Sequence, residues 1–178
     1  MGFQMPSAPQ AGSASLVYAD VPNRIVAYII DVIILFVINL IVTIILTAVS
    51  LGTGTLGLGW LVAVVVGLAI NAGYFIYTWT AMRGTIGMKA LGMQIGNAGD
   101  GKTLTMDQAI KRWIYVGGWI AIASLITSVL GLLGLLLAIV ALLYEIYLLY
   151  TTAQSPTKQG FHDVQAHTQV VKATRSVA

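Results

Sequence analysis

The most constraining feature of the sequence is an apolar stretch, residues 25–49, that carries a single charged side chain, Asp31. A helix needs ~20 predominantly apolar residues to cross a bilayer, so this stretch is long enough to span one. A carboxylate near the centre of such a helix costs ~2.5–3.5 kcal/mol on insertion scales. Asp31 therefore needs a polar partner, a bound proton or a water-filled cavity.

Composition extends the same conclusion to the whole chain. Its 178 residues are 58% hydrophobic and 8% charged, whereas soluble domains contain ~25% charged residues. Two further tracts, residues 56–80 and 113–150, are apolar on all faces, as helices surrounded by lipid are. The sequence thus predicts an all-α membrane protein. We expect its membrane domain to cover residues 18–172.

The two ends of the chain are expected to be tails outside this domain. Residues 1–17 contain Pro6, Pro9 and Gly12, with no basic start and no apolar core. This composition favours a flexible N-terminal tail over a cleavable signal peptide. Residues 173–178 are predicted to form a short C-terminal tail.

The distribution of positive charge predicts the topology. The positive-inside rule places residues 83–112 and both termini in the cytoplasm, because the connections 50–59 and 128–134 carry no charge. The net charge of +3 then has a topological origin, so we expect the lipid bilayer and not nucleic acid as the partner. The protein is predicted to be a multi-pass protein of the cell membrane. Its basic residues are Arg24, Arg83, Lys89, Lys102, Lys111, Arg112, Lys158, Lys172 and Arg175.

Two cytoplasmic termini require an even number of crossings, so the tract 113–150 is interpreted as a hairpin of two short helices. Its turn is placed at Gly131 and Gly134, since glycine tolerates such backbone. The alternative is one long tilted helix, with three spans and an external C-terminus. We predict a four-transmembrane-helix bundle with spans at ~24–49, ~58–80, ~113–130 and ~132–150.

The cytoplasmic loop 83–112 and the C-terminal segment are predicted to form a small β-hairpin/loop cap. Residues 90–95 partly alternate, residues 97–101 form a turn, and residues 102–104 are a candidate return strand. A third candidate, residues 167–172, is predicted to pair with 90–95. Thr105 is expected to cap a short helix that contains Asp107 in its first turn.

Few polar residues lie within the predicted spans, and they form the candidate site. Asp31 and Glu145 lie about 8–11 Å from the same membrane face at 1.5 Å per residue, and Asn71 reaches a similar depth. Two carboxylates at one depth can share a proton or hold a cation. Alternatively, these side chains are interhelical hydrogen-bonding groups, worth ~0.6 kcal/mol on average.

No pattern of catalytic residues indicates an enzyme. The chain has no cysteine, which excludes disulfides and thiolate chemistry. Its two histidines, His162 and His167, offer too few ligands for a metal site. We expect no cofactor and no metal.

Three segments resemble the RDD family, which is named for one arginine and two aspartates. PNRIVAYIID supplies Arg24 and Asp31, RGTIGMKALGMQIGNAGDGKTLTMDQAIKRW resembles the loop after the second span, and GFHDVQAHTQVV supplies Asp163. Three positions depart from the family pattern: Ile86, Val164 and His167. The resemblance implies a multi-pass membrane protein for which transport has been suggested. An Arg24–Asp163 pair would hold the C-terminal segment against the first span.

Two functions remain open at this point. The favoured one is a non-enzymatic accessory or scaffolding subunit of a larger membrane assembly, which contacts other membrane chains or a second copy of itself. The alternative is a small oligomeric transporter, a cation- or proton-coupled carrier that uses Asp31. A cavity beside Asp31 would favour the carrier, whereas hydrogen bonds to Arg or Tyr without a cavity would favour the scaffold.

Overall fold

A computed structural model describes residues 17–121 and 132–172. The predicted tails and the glycine at position 131 lie outside these residues, apart from residue 17. The order of elements is: α1 Val21–Thr53, α2 Leu56–Ala81, α3 Ile86–Ala90, β1 Met93–Asn97, α4 Met106–Trp113, a π-helical turn Ile114–Gly118, α5 Leu132–Gln154, α6 Phe161–Gln165 and β2 Thr168–Lys172.

The first two helices form a pair that meets along most of its length. Helix α1 ends where Gly54 adopts the left-handed conformation (φ 68°) and the amide of Thr55 donates to the carbonyl of Ser50. Helix α2 then returns beside α1. A Cβ on Gly67 of α2 would lie 2.8 Å from the side-chain oxygen of Asn39 in α1. The small residue therefore allows the two helices to approach closely.

Among the described residues, three helices are long and apolar enough to cross a membrane: α1, α2 and the part of α5 from Leu136 to Gln154. These match three of the four predicted spans. The predicted third span, 113–130, is described only to residue 121 and stays a prediction. The predicted turn at Gly134 is wrong, because this residue lies inside α5; its leucine-rich neighbours favour a continuous helix.

A two-stranded sheet lies outside these helices, as predicted. Strand β1 pairs antiparallel with β2, in a register that runs from Met93 opposite Lys172 to Asn97 opposite Thr168. The pairing of the loop with the C-terminal segment is thus confirmed. The strand begins at Met93 and not at residue 90, because α3 occupies 86–90 and Gly92 turns the chain with φ 66°.

The expected return strand at 102–104 is wrong, so the cap contains no local hairpin. The amide of Asn97 donates to the carbonyl of Lys102 (2.9 Å) and the amide of Gly101 donates to the carbonyl of Asn97 (2.9 Å), which closes a turn. Leu104 is buried in the core, and Thr105 already caps α4. The chain therefore lacks the length for a second strand there, and β2 supplies it from a distant part of the sequence.

The N-terminus of α4 is as predicted. The hydroxyl of Thr105 accepts from the amide of Gln108 (3.2 Å), whose side chain in turn accepts from the amide of Thr105 (3.1 Å). This is a capping box, which satisfies donors that the first helical turn leaves open. Asp107 lies in that turn and pairs with Lys111 at 2.8 Å.

The cap and the membrane helices share one hydrophobic core. We define the cap as residues 86–113 and 161–172, which include α3, β1, α4, α6 and β2. Ala27 of α1 is buried against the cap, and Phe75 and Trp79 of α2 contribute aromatic rings. Core residues from the cap itself are Met88, Met93, Ile95, Leu104, Ala109, Trp113 and Val170. The cap is thus packed onto one end of the helix pair.

Candidate functional site

Asp163 lies at the centre of a buried ion cluster that joins the cap to α1. The Nη1 of Arg24 donates to Asp163 Oδ2 at 2.6 Å, and the Nη1 of Arg112 donates to Oδ1. Thr168 also donates its hydroxyl to Oδ1 (3.2 Å), and the amide of Gly160 donates to Oδ2 (3.1 Å). We call Arg24, Arg112, Asp163 and Thr168 the Asp163 cluster. It connects α1, α4, α6 and β2.

The opposite charges of the arginines and Asp163 keep this cluster ionised although it is buried. Asp163 is fully buried. Burial alone raises the pKa of its carboxyl, but the charges of Arg112 and Arg24 outweigh this and hold the pKa far below its ordinary value. Beside it, burial lowers the pKa of His162 from 6.5 to about 4. His162 is thus neutral at physiological pH.

Asp31 is buried between α1, α2 and the loop that follows α2. Its Oδ1 accepts from the Tyr74 hydroxyl at 2.6 Å and from the Gly87 amide at 2.8 Å. The Tyr74 oxygen also accepts from the amide of Ile86 (3.3 Å). Within residues 17–121 and 132–172, no side chain or amide bonds to Oδ2. As far as the described residues go, half of the Asp31 carboxylate is therefore left to interact with another group.

That carboxylate lines a cavity of about 680 Å³ between α1, α2, α4, α5 and the cap. Glu145 and Asn71 line the same cavity. Asp31 lies about 15 Å from the start of α1 and Glu145 about 14 Å from the end of α5, at 1.5 Å per residue. Their common depth, inferred from the sequence, is thus matched by a common cavity. Their action as a proton or cation site stays a prediction.

Asn71 has a structural partner in addition. Its side-chain oxygen accepts from the indole N–H of Trp113 at 2.9 Å, which ties α2 to the end of α4. Arg24 and Asp31 lie seven residues apart on α1, and the structure gives them separate partners. The Arg24–Asp163 pair suggested by the resemblance is present.

Sequence reasoning missed three residues that complete these sites: Arg112, Tyr74 and Gly87. Arg112 directly precedes an apolar tract in the amphipathic helix α4, and it is only 5% exposed. Its guanidinium lies 5.2 Å from the ring of Trp79. The position of Arg112 next to Trp113 at a span boundary was a usable signal. Tyr74 and Gly87 had no such signal in the sequence, because their roles depend on tertiary contacts.

Three helices that are long and apolar enough to cross a membrane, with two carboxylates in a cavity beside them, are features of an integral membrane protein. The model of the RDD family matches residues 18–167. The chain belongs to the RDD family. No curated protein and no solved structure matches it.

Proposed function

We propose that this RDD family protein is a non-enzymatic carrier whose coupling site is formed by Asp31 and Glu145. The observation that supports this is the cavity of about 680 Å³ that both side chains line. A purely structural carboxylate needs only its hydrogen-bond partners, and Asp31 has two on one oxygen. The second oxygen, together with Glu145, gives the cavity an acidic wall that a proton or a cation can neutralise.

The charges around the cavity support coupling to a single positive charge. Arg24 and Arg112 carry two positive charges, and Asp31, Glu145 and Asp163 carry three negative charges when ionised. His162 is neutral, so one net negative charge remains. One proton or one monovalent cation balances it, and the two compete for the same site.

The carrier is proposed to lie in the cell membrane with both termini in the cytoplasm. The basic residues of the cap support this orientation. Because the chain has no native cysteine, Ser176→Cys and Thr55→Cys each introduce a unique label. We expect an impermeant maleimide to label Thr55→Cys in intact cells and Ser176→Cys only in inverted vesicles. The opposite pattern would contradict the orientation.

A flux assay tests the carrier. Purified protein in liposomes with a pH-sensitive dye is expected to move protons in response to a cation gradient. Asp31→Asn and Glu145→Gln each remove one ionisable group and are expected to abolish this movement. Asp107→Asn is the matched control, because Asp107 is exposed on α4, outside the cavity. Equal flux in all four proteins, or no flux from folded wild type, would contradict the proposal.

A second candidate, an accessory subunit, is supported by the exposed faces of the long helices. Only Ala27, Asp31, Leu35 and Ser50 are buried among the 33 residues of α1. Lipid or another chain, including a second copy, covers the rest. A folded protein without flux that co-purifies stoichiometrically with one membrane protein, or that crosslinks as a dimer in native membranes, would favour this candidate.

A further inference from the structure

Resting on the proposed carrier function, we infer that the ligand of this cavity is a lipophilic organic cation of drug-like size. It replaces a proton held at Glu145. The observation behind this is a large, mostly apolar cavity with aromatic walls and two carboxylates.

The size of the cavity matches an organic molecule. Pockets for drug-sized ligands measure ~300–1,000 Å³ and combine apolar walls with a few polar groups. The cavity has about 680 Å³, and carbon atoms make up most of its wall. A metal ion instead prefers a compact shell of several oxygen ligands. The apolar lining includes Val21, Ile25, Met93, Val116, Leu142 and Leu149.

The aromatic wall is suited to a positive charge. Tyr28 and Phe75 stack at a centroid distance of 6.3 Å, and both line the cavity. Tyr28 also lies within electrostatic reach of both the Glu145 and the Asp31 carboxylates. Aromatic faces attract cations, more strongly once water is excluded. Tyr28 thus places an aromatic ring next to the acidic groups that a ligand charge would approach.

The Asp163 cluster sets the orientation of the ligand. It holds two arginines against one aspartate at the cap end of the cavity, so that end is positive. Asp31 and Glu145 supply the negative charge. The cationic group therefore lies at these carboxylates, and the apolar body extends along the helices and away from the arginines. A ligand with a negative head would meet uncompensated carboxylates instead.

The exchange follows from the charges that face the pair. With a ligand bound, Asp31 and Glu145 are both ionised, and the cavity is neutral. Without a ligand, one proton held at Glu145 gives the same balance. Binding thus releases one proton to solvent. The titratable groups that face the two carboxylates, or that bond to groups that do, are Arg24, Tyr28, Tyr74, Arg112, Tyr144, His162 and Asp163.

The test uses the full chain in detergent, with tetraphenylphosphonium as the probe. Equilibrium dialysis measures its binding, and the protons released on binding are measured in parallel. We expect saturable binding with about one proton released per cation. Glu145→Gln is expected to weaken binding at least about tenfold and to remove the proton release, since one charge of a desolvated pair is lost. Glu145 makes no hydrogen bond within the described part of the chain, so this variant keeps its packing. Asp31→Asn is the second variant.

Two controls separate recognition of the ligand's charge from nonspecific hydrophobic binding and from loss of folding. Tetraphenylborate has the same shape and the opposite charge, so it is not expected to bind saturably when it is dialysed by itself, without tetraphenylphosphonium. Asp107→Asn is expected to bind tetraphenylphosphonium like wild type. Binding that is unchanged in Glu145→Gln and Asp31→Asn, or equal saturable binding of tetraphenylborate alone, would overturn the inference.

The liposome assay distinguishes failure of the inference from failure of the carrier. Sodium- or potassium-driven proton flux without tetraphenylphosphonium binding would overturn the inference and leave the carrier in place. Carboxylate-dependent binding without any flux would contradict the carrier and uphold the ligand class.

Discussion

Gly87 is the residue at which α3 meets α1. A Cβ on Gly87 would overlap the carbonyl oxygen of Ala27 and would lie 2.8 Å from its carbonyl carbon. Both are backbone atoms, so no side chain can move aside. We predict that Gly87→Ala separates α3 from α1, weakens the Gly87–Asp31 bond and lowers stability by about 1–3 kcal/mol. Thermal unfolding in detergent measures this.

Gly73→Ala is the matched control for this prediction. Gly73 lies in α2, and a Cβ there has nothing within 4 Å. Alanine is the better helix former by about 0.5–1 kcal/mol, so this variant is expected to be as stable as wild type or more so. A Gly87→Ala protein that unfolds at the wild-type temperature would show that the approach of α3 to α1 is not tight.

Asp163→Asn tests the ion cluster. The substitution leaves Arg24 and Arg112 close together without their counter-ion, and removing one partner of a buried pair costs about 3–5 kcal/mol. We expect a large loss of thermal stability. The pair of Asp107 and Lys111 serves as comparison, because both side chains are more than half exposed and Asp107→Asn should cost under about 0.5 kcal/mol. Similar losses in the two variants would contradict a buried cluster.

At the scale of residues, the sequence identified the charges and only some of their partners. Asp31 stood out because a carboxylate is rare in an apolar span, and Asp163 stood out through the family resemblance. Tyr74 and Arg112 did not, since they are common residues at a span end, and their partners lie 43 and 51 residues away along the chain. The local sequence around a residue does not show which residue so far along the chain it will contact.

Strands β1 and β2 are joined by a register that can be tested with introduced cysteines. Gln94 lies opposite Val171, and opposite residues in antiparallel strands have Cα atoms about 4.5–5.5 Å apart, within the range of a disulfide. We predict that Gln94→Cys with Val171→Cys crosslinks under mild oxidation. The absence of native cysteines removes competing bridges. Mobility in non-reducing gels after loop proteolysis reports the crosslink.

The control for register moves the second cysteine by two residues. Gln94→Cys with Gln169→Cys stays on the same face of the sheet but places the cysteines diagonally, about 7–8 Å apart, which is too far for an unstrained bridge. Preferential crosslinking of this second pair would show a register shifted by two residues.

At the scale of elements, local signals succeeded and non-local ones succeeded only in part. Thr105 begins α4 as expected, because a capping box is encoded within four residues. The pairing of the loop with the C-terminal segment followed from partial alternation in residues 90–95 and from a strand candidate at residues 167–172. The strand predicted at 102–104 was wrong. A turn signal does not show what the residues after the turn do, and here Leu104 is buried in the core and Thr105 caps α4.

The stability of the whole molecule is expected to depend on pH through His162. Burial lowers the pKa of His162 from 6.5 to about 4, so the unfolded chain takes up a proton before the folded protein does. Stability is therefore complete above pH 6.5, falls as the pH drops toward 4, and loses about 3 kcal/mol over that window. We predict that His162→Asn flattens this part of the curve of unfolding free energy against pH.

His167→Asn is the corresponding control. His167 is exposed and adopts a positive φ of 52°, a conformation that asparagine tolerates. The slope between pH 6.5 and 4 should persist in this variant. A slope that persists in His162→Asn as well would assign the pH dependence to other groups.

At the scale of the whole molecule, hydropathy predicted three helices that the structure contains within its described residues. It could do so because a continuous segment of ~20 apolar residues is typical of a membrane-spanning helix. The cavity was not predictable in shape or volume. It arises where α1, α2, α4 and α5 fail to fill the space between them, and this depends on helix angles that the sequence pattern does not define.

The Asp163 cluster also determines when the protein can finish assembling during its synthesis. Arg24 precedes Asp163 by 139 residues and Arg112 precedes it by 51, so both arginines leave the ribosome well before their counter-ion is made. Until then the cap cannot close over them, because burying two unpaired cations is too costly. A chain that stops before residue 163 lacks this counter-ion, so its cap is expected to stay open.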